Sequence, residues 1–320
     1  MLGIPPALPM MHETDRSLTE IKILAMCAAY NRREVTLAGL RSVHSQQLPA
    51  SVKVQLAVVD DNSQDGTIDA IHQEFPAAFV LKGTGSLYWA GAMRLGFSTL
   101  WNPEQYTHLL VFNDDCQLYP DALETLVATY EYHAGTIPIN SNRGLVVVGS
   151  FHDGLKNVPT YGGHVRHEGL KPVMLSIVKP ASKAQNVDTL NMNFALIDRR
   201  CLEDHRLIED HFTHGYADLD FGLRVHRHGV PVIVAPNYQG ICYRNSIENT
   251  WQDSSLTLGN RIRHLLSPKG LPFVPRYHFL RRHAPNTWPV FLFWPYIKLP
   301  VSHLCSRAFS VLLNRHRQTR

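Results

Sequence analysis

The chain has 320 residues, of which 44% are hydrophobic and 18% are charged, and its formal net charge is +4. This size and composition suit one large globular domain, with or without an appendage. The mildly basic balance lacks the dense Lys/Arg run that is typical of nucleic-acid-binding proteins, so no nucleic-acid partner is expected. The five cysteines are scattered and form no C-x-x-C pair. This pattern argues against a disulfide framework and favours a reducing, cytoplasmic setting.

The amino end has neither the charged start nor the continuous apolar core of a signal peptide, and we expect a loose leader over residues 1–20. The sequence contains no uninterrupted run of about 18 apolar residues, so no transmembrane helix is expected.

From residue 21 onward, short apolar runs alternate with amphipathic stretches. Short continuous runs are typical of strands that are buried on both faces of a parallel sheet. The alternation predicts an α/β fold with a doubly wound, mostly parallel central sheet flanked by helices. Residues 151–185, rich in Gly, Pro and His, are predicted as hairpins and loops. The predicted strands are 21–28, 56–59, 78–81, 109–112, 145–149, 187–197 and 232–235, and the predicted helices are 33–47, 65–75, 91–100, 122–132, 199–207 and 218–228.

Paired carboxylates follow two of the predicted strands, Asp60-Asp61 after the second and Asp114-Asp115 after the fourth. Ligands of such sheets bind outside the carboxyl ends of the strands. Adjacent carboxylates repel each other unless a cation neutralises them, and Mg²⁺ or Mn²⁺ readily bridges a carboxylate to substrate phosphates. The alternatives are a solvated turn or a helix cap.

Two further segments have both a functional and a structural interpretation. The loop 82–92 contains small residues that let the backbone approach a phosphate, but it matches neither the Walker nor the dinucleotide-binding glycine pattern. Asp218 stands at a predicted helix start, where it is either a cap or a general base that faces a hydroxyl.

Six segments, taken in this order, resemble the family 2 glycosyltransferases, which have the nucleotide-sugar-binding GT-A fold. The resemblance covers about residues 21–245, and the Tyr-Trp-Ala-Gly-Ala version is similar to bacterial rhamnosyltransferase-like members that build surface polysaccharides. The matching segments are AYNR at 29–32, VVDDNSQDGT at 58–67, GSLYWAGAMRLGF at 85–97, NDD at 113–115, MNFALIDRR at 192–200 and GYADLDFGLR at 215–224.

The resemblance implies a role for each matching position. Asp218 matches the catalytic base, and Asp115, with Asp114, matches the ligands of a Mg²⁺ or Mn²⁺ cofactor. The implied nucleotide-binding residues are Ala28, Tyr30, Arg32, Asp61, Gly85, Trp89, Asn113 and Asp114, and those facing the donor sugar or acceptor are Trp89, Asn193, Asp220 and Arg244.

The implied reaction is a one-step inverting transfer. The donor would be a nucleotide-diphosphate sugar, UDP- or dTDP-linked, and the acceptor a glycan or lipid-linked glycan of cell-surface polysaccharide synthesis. The sequence departs from the family at three points: Ala217 replaces the acid before the base, residues 240–245 contain no histidine for a metal, and Phe194 stands where a small residue is common. A degenerate GT-A scaffold and a sugar nucleotidyltransferase therefore stay open as alternatives.

We expect residues 21–250 to form the catalytic domain and residues 251–320 to form a basic, aromatic extension. Residues 288–298 are apolar, aromatic and interrupted by prolines, which suits a membrane surface but not a span. Arg307, Arg315, Arg317 and Arg320 add positive charge. The alternatives for this tail are packing on the core and a homodimer interface, and the expected location is cytoplasmic or peripheral on the inner face of the cytoplasmic membrane.

Overall fold

The computed structural model describes residues 20–136, 143–167, 169 and 173–318, with only the backbone described from residue 304 onward. The predicted leader, apart from Glu20, lies outside these residues, and so do the side chains of the four tail arginines. The strands are β1 Ile21–Ala29, β2 Val52–Asp60, β3 Phe79–Lys82, β4 His108–Phe112, β5 Gln117–Leu118, β6 Val146–Val148, β7 Phe151–His152, β8 Pro159–Tyr161, β9 Gly163–Arg166, β10 Leu175–Ile177, β11 Gln185–Asn186, β12 Thr189–Leu190, β13 Phe194–Asp198, β14 Val232–Val234 and β15 Gly240–Ile241.

The helices agree with the predicted ones to within a few residues at most ends, and three more follow in the C-terminal extension. They are α1 Arg33–His44, α2 Thr67–Glu74, α3 Tyr88–Leu100, α4 Ala122–Ala134, α5 Arg199–Asp204, α6 Ala217–Arg227, α7 Leu258–Leu266, α8 Phe273–His283 and α9 Trp288–Gln318.

An eight-stranded sheet in the order β11-β14-β6-β13-β4-β1-β2-β3 forms the centre of the fold. The half β4-β1-β2-β3 is parallel, as predicted. In the other half, β13 runs antiparallel to both of its neighbours, β4 and β6. The predicted strand 187–197 is two strands, because β12 joins a separate sheet with β9 and β10.

The central sheet is covered on both faces. Alternate residues of β1 point into different hydrophobic layers, Ile23 and Ala25 into one and Leu24 and Met26 into the other. The first layer is completed by α1, α2 and α4, and the second by α3, α6 and α8. Burial on both faces explains why these strands read as continuous apolar runs. The covered faces leave the strand ends as the open edge of the sheet.

Helices α8 and α9 pack on the second layer through Phe279, Leu280 and Leu292. Leu292 and Leu299 of α9 are buried, and the short turn before α9 connects it to α8. The tail thus has an inner face that contributes to the core. In the part of the chain that the structure describes, no helix combines the length and the hydrophobicity needed to cross a bilayer.

Candidate functional site

Asp61 follows β2 and holds the loop that precedes α3. Its Oδ1 accepts a hydrogen bond from the backbone N–H of Gly85 at 2.7 Å, and its Oδ2 accepts one from that of Tyr88 at 3.0 Å. A Cβ atom on Gly83 would lie 2.7 Å from the same Oδ1, so this approach requires glycine. Tyr88 has a φ of 53°, a conformation uncommon for a side chain of its size. The carboxylate therefore fixes a loop that the sequence identified only by its small residues.

Trp89, Asn113 and Asn193 lie together beside this loop. The indole Nε1–H of Trp89 donates to the Oδ1 of Asn113 at 3.1 Å. The backbone N–H of Asn113 donates to the carbonyl of Asn193 at 2.9 Å. The contact brings the end of β4 next to the turn that precedes β13. Three predicted donor-binding residues from distant parts of the chain are thus neighbours.

Asp114 points away from this group, into the interior. Its side chain is fully buried, accepts a hydrogen bond from the Thr36 hydroxyl at 2.7 Å and forms an ion pair with Arg32. Burial raises the pKa of Asp114 to about 6, against the lowering effect of the Arg32 charge. In this structure Asp114 faces no open site, contrary to the expectation that it binds the nucleotide or a metal ion, because α1 covers the carboxylate.

Arg32 is the cation that lies on the paired carboxylates. It contacts Asp114 and, through Nη1, the Oδ2 of Asp115 at 3.3 Å. The Arg32 side chain is 42% exposed and that of Asp115 is 30% exposed, so this end of the pair faces solvent. The positive charge of Arg32 therefore offsets the repulsion between the two adjacent carboxylates.

Asp115 also belongs to a cluster with two buried thiols. Its oxygen and the sulfurs of Cys116 and Cys242 all lie within 4.8 Å of one another, and the Cys242 thiol donates to the Asp115 Oδ1 at 3.8 Å. Burial raises the pKa of the Cys116 thiol, which keeps it protonated. A hard ion such as Mg²⁺ takes oxygen ligands, so only Asp115 of this set suits it. One carboxylate together with phosphate oxygens is a usual arrangement for Mg²⁺, and the residues fit an ion held in that way.

Asp218 stands in the first turn of α6 and is half-buried. Its Oδ1 accepts from the backbone N–H of Leu219 at 2.8 Å, and its Oδ2 accepts from the Asn191 amide at 3.0 Å. Burial raises its pKa, and the hydrogen bond from Asn191 opposes that rise. Asn191 was not among the predicted site residues. The sequence feature that could have identified Asn191 is its polar side chain, two positions before Asn193, in a mostly apolar run.

The segment before α6 reaches the loop that Asp61 holds. The rings of Tyr88 and His214 are 6.4 Å apart, and the backbone N–H of Ala90 donates to the Thr213 carbonyl at 3.2 Å. Asn191 and Asn193, on one turn, lie against Asp218 and Asn113 respectively. Asp218 is therefore connected to the Trp89 group on two sides.

Asp220 is not part of this site, contrary to expectation. It is fully buried and binds Arg224 at 2.7 Å and Arg282 of α8 at 2.8 Å. Burial alone would raise the pKa of Asp220, but His283, Arg224 and Arg282 hold it at about 2. A carboxylate enclosed in this way cannot contact a donor sugar or an acceptor.

The remaining predicted residues occupy varied positions. Ala28 is partly exposed on β1, and Tyr30, just beyond that strand, is exposed. Arg244 is exposed and donates to the Pro159 carbonyl at 3.4 Å; none of its described contacts is with a predicted site residue. Phe194 is a core residue packed against Phe151, with ring centroids 6.2 Å apart, and so does not shape a sugar pocket. A separate cavity of about 580 Å³ is lined by residues that include Arg143, His205 and Arg224. None of the predicted site residues lines it, although Arg224 is a partner of Asp220.

Comparison with known proteins gives a family match for part of the chain and a shared fold with solved structures. Residues 26–164 match the glycosyl transferase family 2. Residues 1–349 of TarS from S. aureus, solved with UDP-GlcNAc, share the fold with a TM-score of 0.51 and 14% identity, over 83% of this chain and 73% of that one. A second structure of TarS 1–349 gives a TM-score of 0.50 and 13% identity, over 89% and 79%. A mannosyltransferase, PcManGT from Pyrobaculum calidifontis in complex with GDP-Man and Mn²⁺, gives 0.48 and 15%, over 93% and 79%. No curated protein matches the chain by sequence.

Proposed function

The chain carries a family 2 glycosyltransferase domain over residues 26–164, and from this premise we propose that it moves a sugar from a nucleotide-diphosphate sugar to a hydroxyl group with inversion at the anomeric carbon. The observation that carries the proposal is the contact of the Trp89–Asn113–Asn193 group with Asp218 through the turn 191–193. Donor-binding side chains and a candidate base are thereby held on one edge of the sheet.

Asp61 and its loop are assigned to the nucleoside end of the donor. The two carboxylate oxygens accept one backbone N–H each, and each retains a lone pair for a ribose hydroxyl or a base N–H. Asn113, Trp89 and Gly85 complete this end. We assign UDP- or dTDP-sugars as the donor class, following the family resemblance.

The diphosphate is assigned to Arg32 and Asp115. Arg32 offers a planar, permanently charged fork that suits phosphate oxygens. Asp115 would hold Mg²⁺ or Mn²⁺ against the diphosphate, and such an ion, when bound, offsets the charge of the leaving group. The thiols of Cys116 and Cys242 are outside this role because sulfur is a soft ligand, whereas these ions take oxygen ligands.

Asp218 is assigned as the general base. An oxygen of its carboxylate takes the proton of the acceptor hydroxyl, that hydroxyl oxygen forms a bond to the anomeric carbon, and the bond from this carbon to the diphosphate breaks. The hydrogen bond from Asn191 orients the carboxylate and keeps its charged form available. The raised pKa of Asp218 makes it a stronger base than an exposed aspartate.

The acceptor class is a glycan or lipid-linked glycan, and we place the reaction in the cytoplasm, at the inner face of the membrane. Support comes from the family resemblance and from four described cysteines that are free and buried. A role in cell-surface polysaccharide synthesis follows from the same resemblance.

The test is Asp218→Asn, measured on a panel of UDP-, dTDP- and GDP-sugars with Mg²⁺ or Mn²⁺. We expect a loss of about 10²- to 10⁴-fold in kcat, because base assistance is removed, with little change in donor affinity.

The kcat/KM of the unsubstituted enzyme should fall as the pH drops through the pKa of Asp218, since a protonated base cannot accept the acceptor proton. Asp210→Asn, at an exposed carboxylate, is the control and should leave kcat unchanged. Full turnover by the Asp218→Asn enzyme would remove the base assignment.

A binding protein without turnover is the second candidate. Ala217 in place of an acid, and thiols beside Asp115 in place of harder ligands, favour it. It predicts donor binding by thermal shift together with an absence of both transfer and donor hydrolysis across the whole panel.

A further inference from the structure

The charges of the chain are strongly segregated along its length. All 27 acidic residues lie at or before Asp253, against 20 Lys and Arg in the same stretch, which gives that part a net charge of −7. Residues 254–320 contain 11 Lys and Arg and no Asp or Glu, a net charge of +11. A segment of this length with a single sign of charge indicates a partner of the opposite sign.

Helix α9 presents a second apolar face in addition to the one that packs on the core. Val290, Phe293, Trp294, Ile297 and Val301 are each between 48% and 67% exposed. At about 100° per residue these five side chains fall within an arc of roughly 100°. The buried Leu292 and Leu299 lie on the opposite side of the helix. The exposed apolar residues therefore form one continuous strip along α9 and are not scattered single positions.

The stripe continues onto the start of α8. The rings of Phe273 and Phe293 are 6.1 Å apart, and Phe273 and Val274 are themselves exposed. The same three-helix segment also carries the exposed cations Arg263, Lys269 and Lys298. We call the patch formed by Phe273, Val274 and the five exposed α9 residues the apolar stripe.

We propose that the apolar stripe docks α8 and α9 onto an anionic lipid bilayer, with the exposed cations of the same segment on the head groups. Two properties favour a bilayer over a second copy of the chain. The patch combines Trp and Phe with aliphatic residues, as interfacial helices do. The three-helix segment that carries it contains Lys and Arg but no Asp or Glu, and this charge attracts anionic lipid but would repel the same surface of another copy in a symmetric dimer.

This docking would place the proposed catalytic helix beside the membrane. Arg282 of α8 binds Asp220 of α6, two residues after Asp218, and Arg276 of α8 binds the hydroxyl of Tyr216, two residues before it. A surface on α8 and α9 is thus fastened to the helix that carries the candidate base. The idea that lipid-linked acceptors reach Asp218 in this way rests on the proposed function, whereas the lipid binding does not.

The experiment measures co-sedimentation of the full chain with vesicles in the absence of donor. One set of vesicles contains equal parts of phosphatidylglycerol and phosphatidylcholine, and the other contains phosphatidylcholine alone. We expect binding to the anionic vesicles that weakens with salt, and much weaker binding to the neutral ones. The variant Phe293→Ser/Trp294→Ser/Ile297→Ser should bind the anionic vesicles at least about tenfold less, because three large apolar groups no longer enter the interface. Arg263→Gln/Lys269→Gln/Lys298→Gln should lose several-fold and become less sensitive to salt.

The matched control is Tyr132→Ser/Leu155→Ser/Val158→Ser, which removes three exposed apolar side chains elsewhere on the surface. It should bind vesicles as the unsubstituted chain does. Equal binding by the α9 variant and the control, or no binding of the unsubstituted chain to anionic vesicles, would overturn the proposal. So would a dimer in light scattering that the α9 substitutions dissociate without any vesicle effect, since the stripe would then serve a second copy. Donor turnover on a water-soluble acceptor is measured separately, so failure of the transferase proposal would not be confused with failure of lipid binding.

Discussion

Arg32 lies between two adjacent carboxylates that differ sharply in their surroundings. Asp114 has no exposed side-chain surface, whereas Asp115 is partly exposed. Removing the guanidinium would leave a buried carboxylate with the Thr36 hydroxyl as its described side-chain partner. An uncompensated buried charge is expensive, and the group tends to take up a proton instead.

We therefore expect Arg32→Gln to destabilise the fold in a pH-dependent way. Burial already raises the pKa of Asp114 to about 6, above its ordinary 3.8, and the loss of Arg32 should raise it further. At pH 8 the variant has either an unpaired buried charge or a carboxyl that must take up a proton from dilute solution, and it should lose about 1–2 kcal/mol, a figure reduced because the guanidinium is partly screened by solvent. At pH 5 the protonated carboxyl needs no cation, so the loss should be smaller. Urea denaturation at the two pH values measures the difference.

Arg32→Lys is the matched comparison. It keeps the charge but not the fork that reaches both carboxylates, so its loss at pH 8 should be smaller than that of Arg32→Gln. A loss for Arg32→Gln that is equal at pH 5 and pH 8 would contradict the assignment of Arg32 as the partner of Asp114.

The sequence predicted that carboxylates mark this edge of the sheet, but not which of the two faces outward. That choice depends on α1, since a Cβ atom on Gly39 would lie 2.3 Å from the backbone oxygen of Asp114. The approach of α1 also brings Thr36 to the carboxylate. The contact between Thr36 and Asp114 joins residues that are far apart in the chain, so the spacing of nearby residues could not predict it. The same limit applies to Asn191, which becomes a partner of Asp218 only after β12 and α6 have packed.

At the scale of the elements, alternation of apolar runs predicted the existence and order of most strands and helices. It did not predict the direction of β13, because a run buried on both faces, such as Phe194–Asp198, has the same appearance in either direction. It also did not separate β12 from β13, since Asn191 and Asn193 interrupt the run without a glycine or proline to mark the turn.

Helices α6 and α8 are joined through one buried carboxylate. Asp220 binds Arg224 of its own helix and both Arg282 and His283 of α8. We expect Asp220→Asn to cost about 2–4 kcal/mol of unfolding free energy at neutral pH, because two arginines lose their buried counter-charge. The folded pKa of about 2 lies below the ordinary 3.8, so the stabilisation is present above about pH 4 and is lost as the pH falls towards 2.

Urea denaturation at pH 7 and at pH 3 tests this contribution. Asp210→Asn is again the control, because its side chain is 79% exposed, and it should change stability by less than about 0.5 kcal/mol. If Asp220→Asn is as stable as the control, the carboxylate does not hold α8 in place.

At the scale of the whole molecule, α9 contributes to the core as well as to the surface. Leu292 and Leu299 are buried, and the Trp288 ring contacts that of Tyr277 at a centroid distance of 5.3 Å. A chain that ends at residue 285 should therefore unfold at a lower temperature and self-associate, because the second hydrophobic layer loses part of its cover. Thermal unfolding with light scattering measures both effects.

The stripe variant Phe293→Ser/Trp294→Ser/Ile297→Ser is the comparison for that truncation. Its substitutions are on the exposed side of α9, so its unfolding temperature should stay close to that of the unsubstituted chain. A truncated chain with an unchanged unfolding temperature would mean that α9 contributes nothing to the core.

One carboxylate sets the shape of the loop that we propose as part of the donor site. The hydrogen bonds that Asp61 accepts from the backbone N–H groups of Gly85 and Tyr88 also set the position of Trp89, which follows Tyr88 in the chain. Under the proposed function, discrimination among nucleosides and the position of the Trp89 ring are therefore expected to change together. A substitution of Asp61 that is meant to broaden the donor range would also shift Trp89. Engineering of this site would therefore have to redesign residues 83–89 together.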